Sequence, residues 1–168
     1  MQLKQIDKTT YRKNLRIVFA MIAIALLIIT PAASTLFIYL FSTPDVPHFW
    51  YNLAGVVFAA VVIAGTLHKI RHHPFMLEVV YVWDLKQQLN RIHRKLNMIE
   101  KKAENNDHDA LIIINYMYRG SKQLYELDDN TITMSTLNNK IRDLDERMEA
   151  AGMSLSTDSY NPAMLDRF

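Results

Sequence analysis

Residues 17–41 read IVFAMIAIALLIITPAASTLFIYLF, and residues 49–67 read FWYNLAGVVFAAVVIAGTL. Neither run contains a charged residue, and of the residues between them only Asp45 is charged. A helix rises about 1.5 Å per residue, so roughly 20 apolar residues cross a bilayer core. Both runs meet that length. They predict two transmembrane helices, 17–41 and 49–67, joined by a short periplasmic loop at 42–48 with Pro44 and Pro47. A loop this short makes the helices antiparallel neighbours. Pro31 lacks a backbone donor and predicts a kink in the first span. Phe49, Trp50 and Tyr51, with Tyr39 and Phe41, suit the headgroup level.

Charge sets the direction. Lys4, Lys8, Arg12, Lys13 and Arg16 precede the first span, and His68, Lys69, Arg71, His72 and His73 follow the second. The positive-inside rule then places both termini in the cytoplasm. Residues 1–16 form a basic cytoplasmic segment. Thr30 to Ser34 have some character of a signal cleavage site, but apolar sequence continues through Leu36 to Phe41, so an uncleaved span is expected.

Half of the residues are hydrophobic, yet mean hydropathy is −0.03. The remainder of the chain is therefore polar. Residues 74–168 carry 12 basic and 15 acidic groups. That balance argues against nucleic acid as the main partner, because phosphate binding needs clustered positive charge. The chain has no cysteine, which removes disulfides and thiolate metal sites.

After Pro74, a residue suited to a first helical turn, Val82, Leu85, Leu89, Ile92, Leu96, Ile99 and Ala103 recur at alternating intervals of three and four. This is a heptad seam. Asn105, Asn106 and Asp107 break it and can cap a second helix, about 109–127, whose apolar start from Leu111 to Ile114 calls for burial. Asp128, Asp129 and Asn130 end that helix. A third follows with Met134, Leu137, Ile141, Leu144, Met148 and Ala151, closed by Gly152 as a C-terminal cap. The expectation is an all-α chain: a transmembrane helical hairpin, then a cytoplasmic antiparallel helical bundle or coiled-coil domain at 74–152, then a polar tail at 153–168. Narrow seams bury little area within one copy of so small a domain. Leu85, Leu89, Ile92, Leu96, Leu137, Ile141 and Leu144 are accordingly the expected surface for self-association or partner binding.

Chemical signals are sparse. His68 and His72 lie one turn apart, a spacing that metal-binding pairs use, with Glu78 the nearest carboxylate. Interfacial histidines beside Lys69 and Arg71 explain them as simply, and no metal site is expected. Asp107, His108 and Asp109 fit a helix start better than a catalytic cluster. Lys86, Arg91, Arg94, Lys95, Lys101 and Lys102 form a basic side that suits solvent or anionic lipid. Residues 75–83 either lie on the membrane surface or pack on the bundle. Gly55 with Ala59, and Ala60 with Ala64, have the spacing of close helix packing. Thr30 and Ser34 form a thin polar stripe, and no Asp, Glu, Lys, Arg or His lies inside either span, which disfavours coupled transport. Phosphate-loop, dinucleotide, nucleophile-elbow and zinc-protease motifs are absent, so no catalytic residue, cofactor or small-molecule substrate is expected.

The basic start from Lys4 to Arg16, the paired spans, the Arg71-His72-His73-Pro74 junction and the helix from Leu85 to Leu96 resemble a family of small gammaproteobacterial inner-membrane proteins catalogued only as a domain of unknown function. The resemblance covers nearly the whole chain. It implies a bacterial inner membrane and no activity. The expected role is a non-enzymatic scaffold or accessory subunit, as a homo-oligomer or within a membrane protein complex. A small channel lined by Thr30 and Ser34 is the alternative, and a metal- or pH-responsive sensor using His68 and His72 a second.

Overall fold

The structure is a computed structural model, and it describes residues 2–43, 47–150, 152–153 and 156–168. Six α-helices make up most of it: α1 (Lys8–Phe41), α2 (Phe49–Ile70), α3 (Leu77–His93), α4 (Leu96–Glu104), α5 (His108–Asp128) and α6 (Met134–Ala150). Short 3₁₀ segments occupy Pro74–Met76, Thr157–Ser159 and Pro162–Arg167. No strand occurs among the described residues. The chain forms two compact units, Thr9–Val80 and Met1–Lys8 with Tyr81–Phe168.

In the unit Thr9–Val80, α1 and α2 pair as a hairpin. Gly55 is the reason they come close. A Cβ there would lie 2.8 Å from the Ser34 backbone nitrogen and 3.0 Å from its Cα. Only a residue without a side chain fits that approach. Ala59, one turn on, is fully buried, and Phe37 meets Phe58 edge to face at 5.9 Å. The Tyr51 hydroxyl donates to the Phe41 carbonyl at 2.8 Å. Of the two small-residue pairs, Gly55 and Ala59 thus form the contact, while Ala60 and Ala64 face outward. The helix continues through Pro31. At 34 residues α1 is about 51 Å long, and at 22 residues α2 is about 33 Å. The first helix starts nine residues before its apolar run, so the basic turns 8–16 belong to the same rod. The connector centred on Pro44 and Asp45 lies outside the described residues.

The other unit is built around α5. Its first half, Ala110 to Met117, is buried on every side, as the apolar run from Leu111 to Ile114 within it requires. Asp107 starts the helix: its Oδ1 accepts the Ala110 N–H at 3.0 Å, which satisfies one of the unpaired first-turn donors. Asp129, at φ 55°, closes it in the left-handed region, and the Asn130 N–H reaches back to the Tyr125 carbonyl. Gly152 takes the same left-handed form at φ 63° after α6, with the Met153 N–H returning to the Met148 carbonyl. Ala151, expected to complete the α6 seam, is outside the described residues.

Around α5 pack α3, α4, α6 and the C-terminal segment. Gly120 lets α3 in: a Cβ there would stand 3.3 Å from Leu89 and 3.4 Å from Leu85. The seam read as one helix from Val82 to Ala103 is two. The first ends at His93, and the second restarts at Leu96, with the Lys95 N–H held by the Ile92 carbonyl. Residues 153–168 also differ from the polar tail expected there. Tyr160 and Leu165 are buried, and Lys95 Nζ donates to the Leu165 carbonyl at 2.7 Å.

Candidate functional site

The residues expected to carry self-association are largely consumed inside one copy. Leu85, Leu89, Ile92, Leu137 and Leu144 are all buried, and Leu96 and Ile141 half-buried. Burying a leucine is worth about 1.5–3 kcal/mol, and here a single chain realises that gain against α5. The sequence could not show that the apolar stripes of α3, α4 and α6 converge on α5.

Three polar arrangements tie the unit together. The Tyr81 hydroxyl accepts the Lys4 backbone N–H at 2.8 Å and donates to Gln123 Oε1 at 2.9 Å. The Gln123 amide in turn donates to the Lys4 carbonyl. The start of the chain is therefore threaded onto α3 and α5. Lys8 adds an ion pair with Asp129. Second, Arg147 of α6 donates to the Ala103 carbonyl and to Asn106 Oδ1, which braces the turn between α4 and α5. Arg119 pairs with Asp145 at 2.7 Å across α5 and α6. Third, Tyr160 stacks on Tyr116, accepts a hydrogen bond from the Gln88 amide, and brings the C-terminal segment down on α3 and α5. Arg167 pairs with Asp109, and Lys102 lies 4.5 Å from the Phe168 ring centre.

Burial pushes the hydroxyls of this interior upward. Tyr160 is pushed up to about 12 by desolvation, against the lowering effect of Gln88 and Arg91. Tyr116 is raised further by desolvation, with Tyr81 and Tyr160 adding to it. Tyr118 is raised by burial and by Glu100. These groups stay protonated and serve packing. The Tyr116 hydroxyl and Glu78 Oε2 are buried without a hydrogen-bond partner.

A groove of about 370 Å³ lies between α4, α5 and α6, with Glu100, Glu104, Tyr118, Lys140, Asp143 and Arg147 on its walls. Its charges are of both signs, and Arg147 is already committed to Ala103 and Asn106. His68 and His72 are exposed, and no group of three His, Asp or Glu among the described residues could hold a metal ion. His73 acts on its own backbone, where its Nδ1 accepts the Phe75 N–H at 3.2 Å and caps the turn at Pro74–Met76. Residues 75–83 divide their exposure. Met76, Tyr81 and Val82 are buried, whereas Leu77 and Trp83 are exposed.

Most of the exposed large hydrophobic side chains among the described residues belong to the hairpin. Leu27 is 76% exposed and Val61 65%. In the most apolar stretch of each helix, only 17% of α1 and 11% of α2 is buried. The core helix of a soluble domain would be covered. Both helices are long and apolar enough to cross a membrane.

These features define a class: an all-α protein with two long apolar helices in a hairpin and a helical unit packed around one central helix. Within that class the chain belongs to the family described as Protein of unknown function (DUF3087), which matches residues 1–165. No curated protein and no solved structure matches it.

Proposed function

We propose that this protein is a non-enzymatic, two-span anchor of the bacterial inner membrane, with both termini in the cytoplasm, and that its helical unit scaffolds or regulates a partner there. The exposed apolar surface of the hairpin carries this reading. A water-facing stretch of that size has no stabilising environment except lipid or protein. A cleaved signal accounts for one apolar helix, not for a second packed on it through Gly55 and Ser34. Basic residues flank the outer ends of both apolar runs, which supports inward termini.

Within the helical unit the buried polar groups brace helices. The partner, a membrane protein complex or a second copy, would be met by exposed surface such as that around Met98 and Ile132 rather than by the core leucines. The channel and sensor readings gain nothing specific. Ser34 is buried at the helix contact, with its Oγ 3.4 Å from the Asn52 carbonyl, and among the described residues no third ligand joins His68 and His72.

The test is alkaline carbonate extraction of membranes, followed by gentle solubilisation of the tagged full-length chain and identification of what accompanies it. Retention in the membrane with a stoichiometric partner or a defined oligomer is the expected result. A lone monomer in native lipid would contradict the scaffold role, and release by carbonate would contradict the anchor.

A further inference from the structure

The first residues of α3, 77–80, group with the hairpin unit Thr9–Val80, and six residues, 71–76, separate α3 from α2. The Asn14 amide donates to the Phe75 carbonyl at 3.0 Å. Asn14 stands three residues before the apolar run that opens at Ile17, about 4.5 Å along the helix. Phe75 is thereby held level with the turn of α1 that precedes the apolar run. In a bilayer the polar layer outside the hydrocarbon is roughly 5–7 Å deep on each side. That level is the headgroup layer.

One flank of α3 is left uncovered. Leu77, Val80 and Trp83 recur every three residues and so share it. Leu77 is 55% exposed and Trp83 63%, and Val80 is half-buried. Leu85, Leu89 and Ile92 are buried on the opposite side, where Leu85 and Leu89 approach α5 at Gly120. The flank therefore cannot turn toward the same core. The nearby carboxylates present little charge to it. Glu78 keeps one oxygen buried, and Asp84 is half-buried and already has a partner.

We propose that the first two turns of α3 lie in the membrane interface, with Leu77, Val80 and Trp83 seated at the boundary between headgroups and acyl chains. The inference rests on the membrane-spanning reading above. Three observations favour lipid over a second protein as the occupant. The Asn14 bond to Phe75 fixes the start of the segment at headgroup depth. The stripe carries a tryptophan, whose apolar ring and single N–H donor suit that boundary. Beyond Trp83 the same flank turns polar at the exposed Gln87, so the apolar surface stops after two turns, whereas a helix-pairing seam would continue along the helix. A patch of three side chains is also far smaller than a stable protein interface, but it suffices for a segment already tethered at the bilayer surface.

The chain has two tryptophans, Trp50 and Trp83, so each can be read alone. Trp50→Phe leaves Trp83 as the sole indole, and Trp83→Phe leaves Trp50. Both replaced rings are exposed, so neither variant loses a core side chain. The full-length chains would be reconstituted in phosphatidylglycerol–phosphatidylethanolamine vesicles whose acyl chains carry bromine either near the headgroup or near the chain end. Bromine quenches an indole only at close range, and both leaflets carry it, so the direction of insertion does not enter. Trp83 emission is expected to be blue-shifted and to lose a large part of its intensity to the shallow bromines and less to the deep ones. Unquenched Trp83 emission overturns the proposal, whether red-shifted as in water or blue-shifted as under a protein partner. Stronger quenching by the deep bromines overturns it too. Trp50 separates the two levels of the argument. Quenched Trp50 beside unquenched Trp83 would sink this inference alone, and quenching of neither would sink the anchor reading beneath it.

Discussion

Tyr160, far out in the C-terminal segment, lies flat on Tyr116 in the middle of α5, with ring centres 4.1 Å apart and planes 21° from parallel. Both rings are buried, and the Gln88 amide holds the Tyr160 hydroxyl. This contact makes the end of the chain part of the core. Replacing Tyr160 with alanine removes a buried aromatic ring and is expected to cost about 3 kcal/mol. Tyr160→Phe keeps the ring and loses one hydrogen bond, about 1 kcal/mol. Limited proteolysis of the full chain checks this: cleavage after Arg167 and near Met164 is expected to speed up strongly in the alanine variant and slightly in the phenylalanine variant.

The same pair sets an alkaline limit. Tyrosine ordinarily titrates near 10, and burial pushes Tyr160 up to about 12 and Tyr116 upward as well. A folded value above the unfolded one favours the protonated fold. The stabilisation is complete below pH 10 and is lost as pH rises from there through the folded values. The loss is up to about 1.4 kcal/mol per pH unit for each tyrosine in that window. Helix content and the last part of the tyrosinate absorbance to appear are expected to change together above pH 10. Early ionisation of all eight tyrosines with helix content intact would contradict the buried stack.

Gly55 and Gly65 make a matched pair for the hairpin. A Cβ at Gly55 collides with the Ser34 backbone, whereas one at Gly65 meets nothing within 4 Å. Gly55→Ala is expected to force the helices apart at a cost of about 1–3 kcal/mol. Gly65→Ala is expected to be neutral or slightly stabilising through helix propensity. Thermal unfolding in detergent distinguishes them, and equal effects would contradict the close approach.

Arg147 gives α6 its anchorage. Its guanidinium serves the Ala103 carbonyl and Asn106, the latter held at φ 58° in the turn before α5. Arg147→Ala is expected to destabilise by about 2 kcal/mol, in the range for hydrogen bonds from a charged donor. Arg147→Lys is expected to restore little, since one ammonium cannot reproduce the fork. Hydrogen exchange would register faster opening of α6, with α5 much less affected.

Much of this architecture was legible in residues 17–41 and 49–67, because length and uncharged composition are local properties of the chain. The caps at Asp107 and Gly152 were legible for the same reason, each acting within a few residues. Other features depend on distant partners. The apolar stripe from Leu85 to Leu96 showed which face is buried, but its partner is α5, which approaches at Gly120 some thirty residues away. The interruption at Arg94 and Lys95 carries no glycine or proline to announce it. Tyr160 and Leu165 are single apolar residues in a polar stretch, where periodicity has nothing to register.

The central claim is that α1 and α2 span a membrane with both termini on the cytoplasmic side. The native chain lacks cysteine, so single cysteines report cleanly. They would be placed at Thr43 in the connector, at Gln2 and at Ser156, and a membrane-impermeant maleimide applied to cells with a permeabilised outer membrane. Labelling is expected at Thr43→Cys in such cells, and at Gln2→Cys and Ser156→Cys only after the inner membrane is broken. Labelling of Gln2→Cys or Ser156→Cys with the inner membrane intact, or protection of all three, would contradict it.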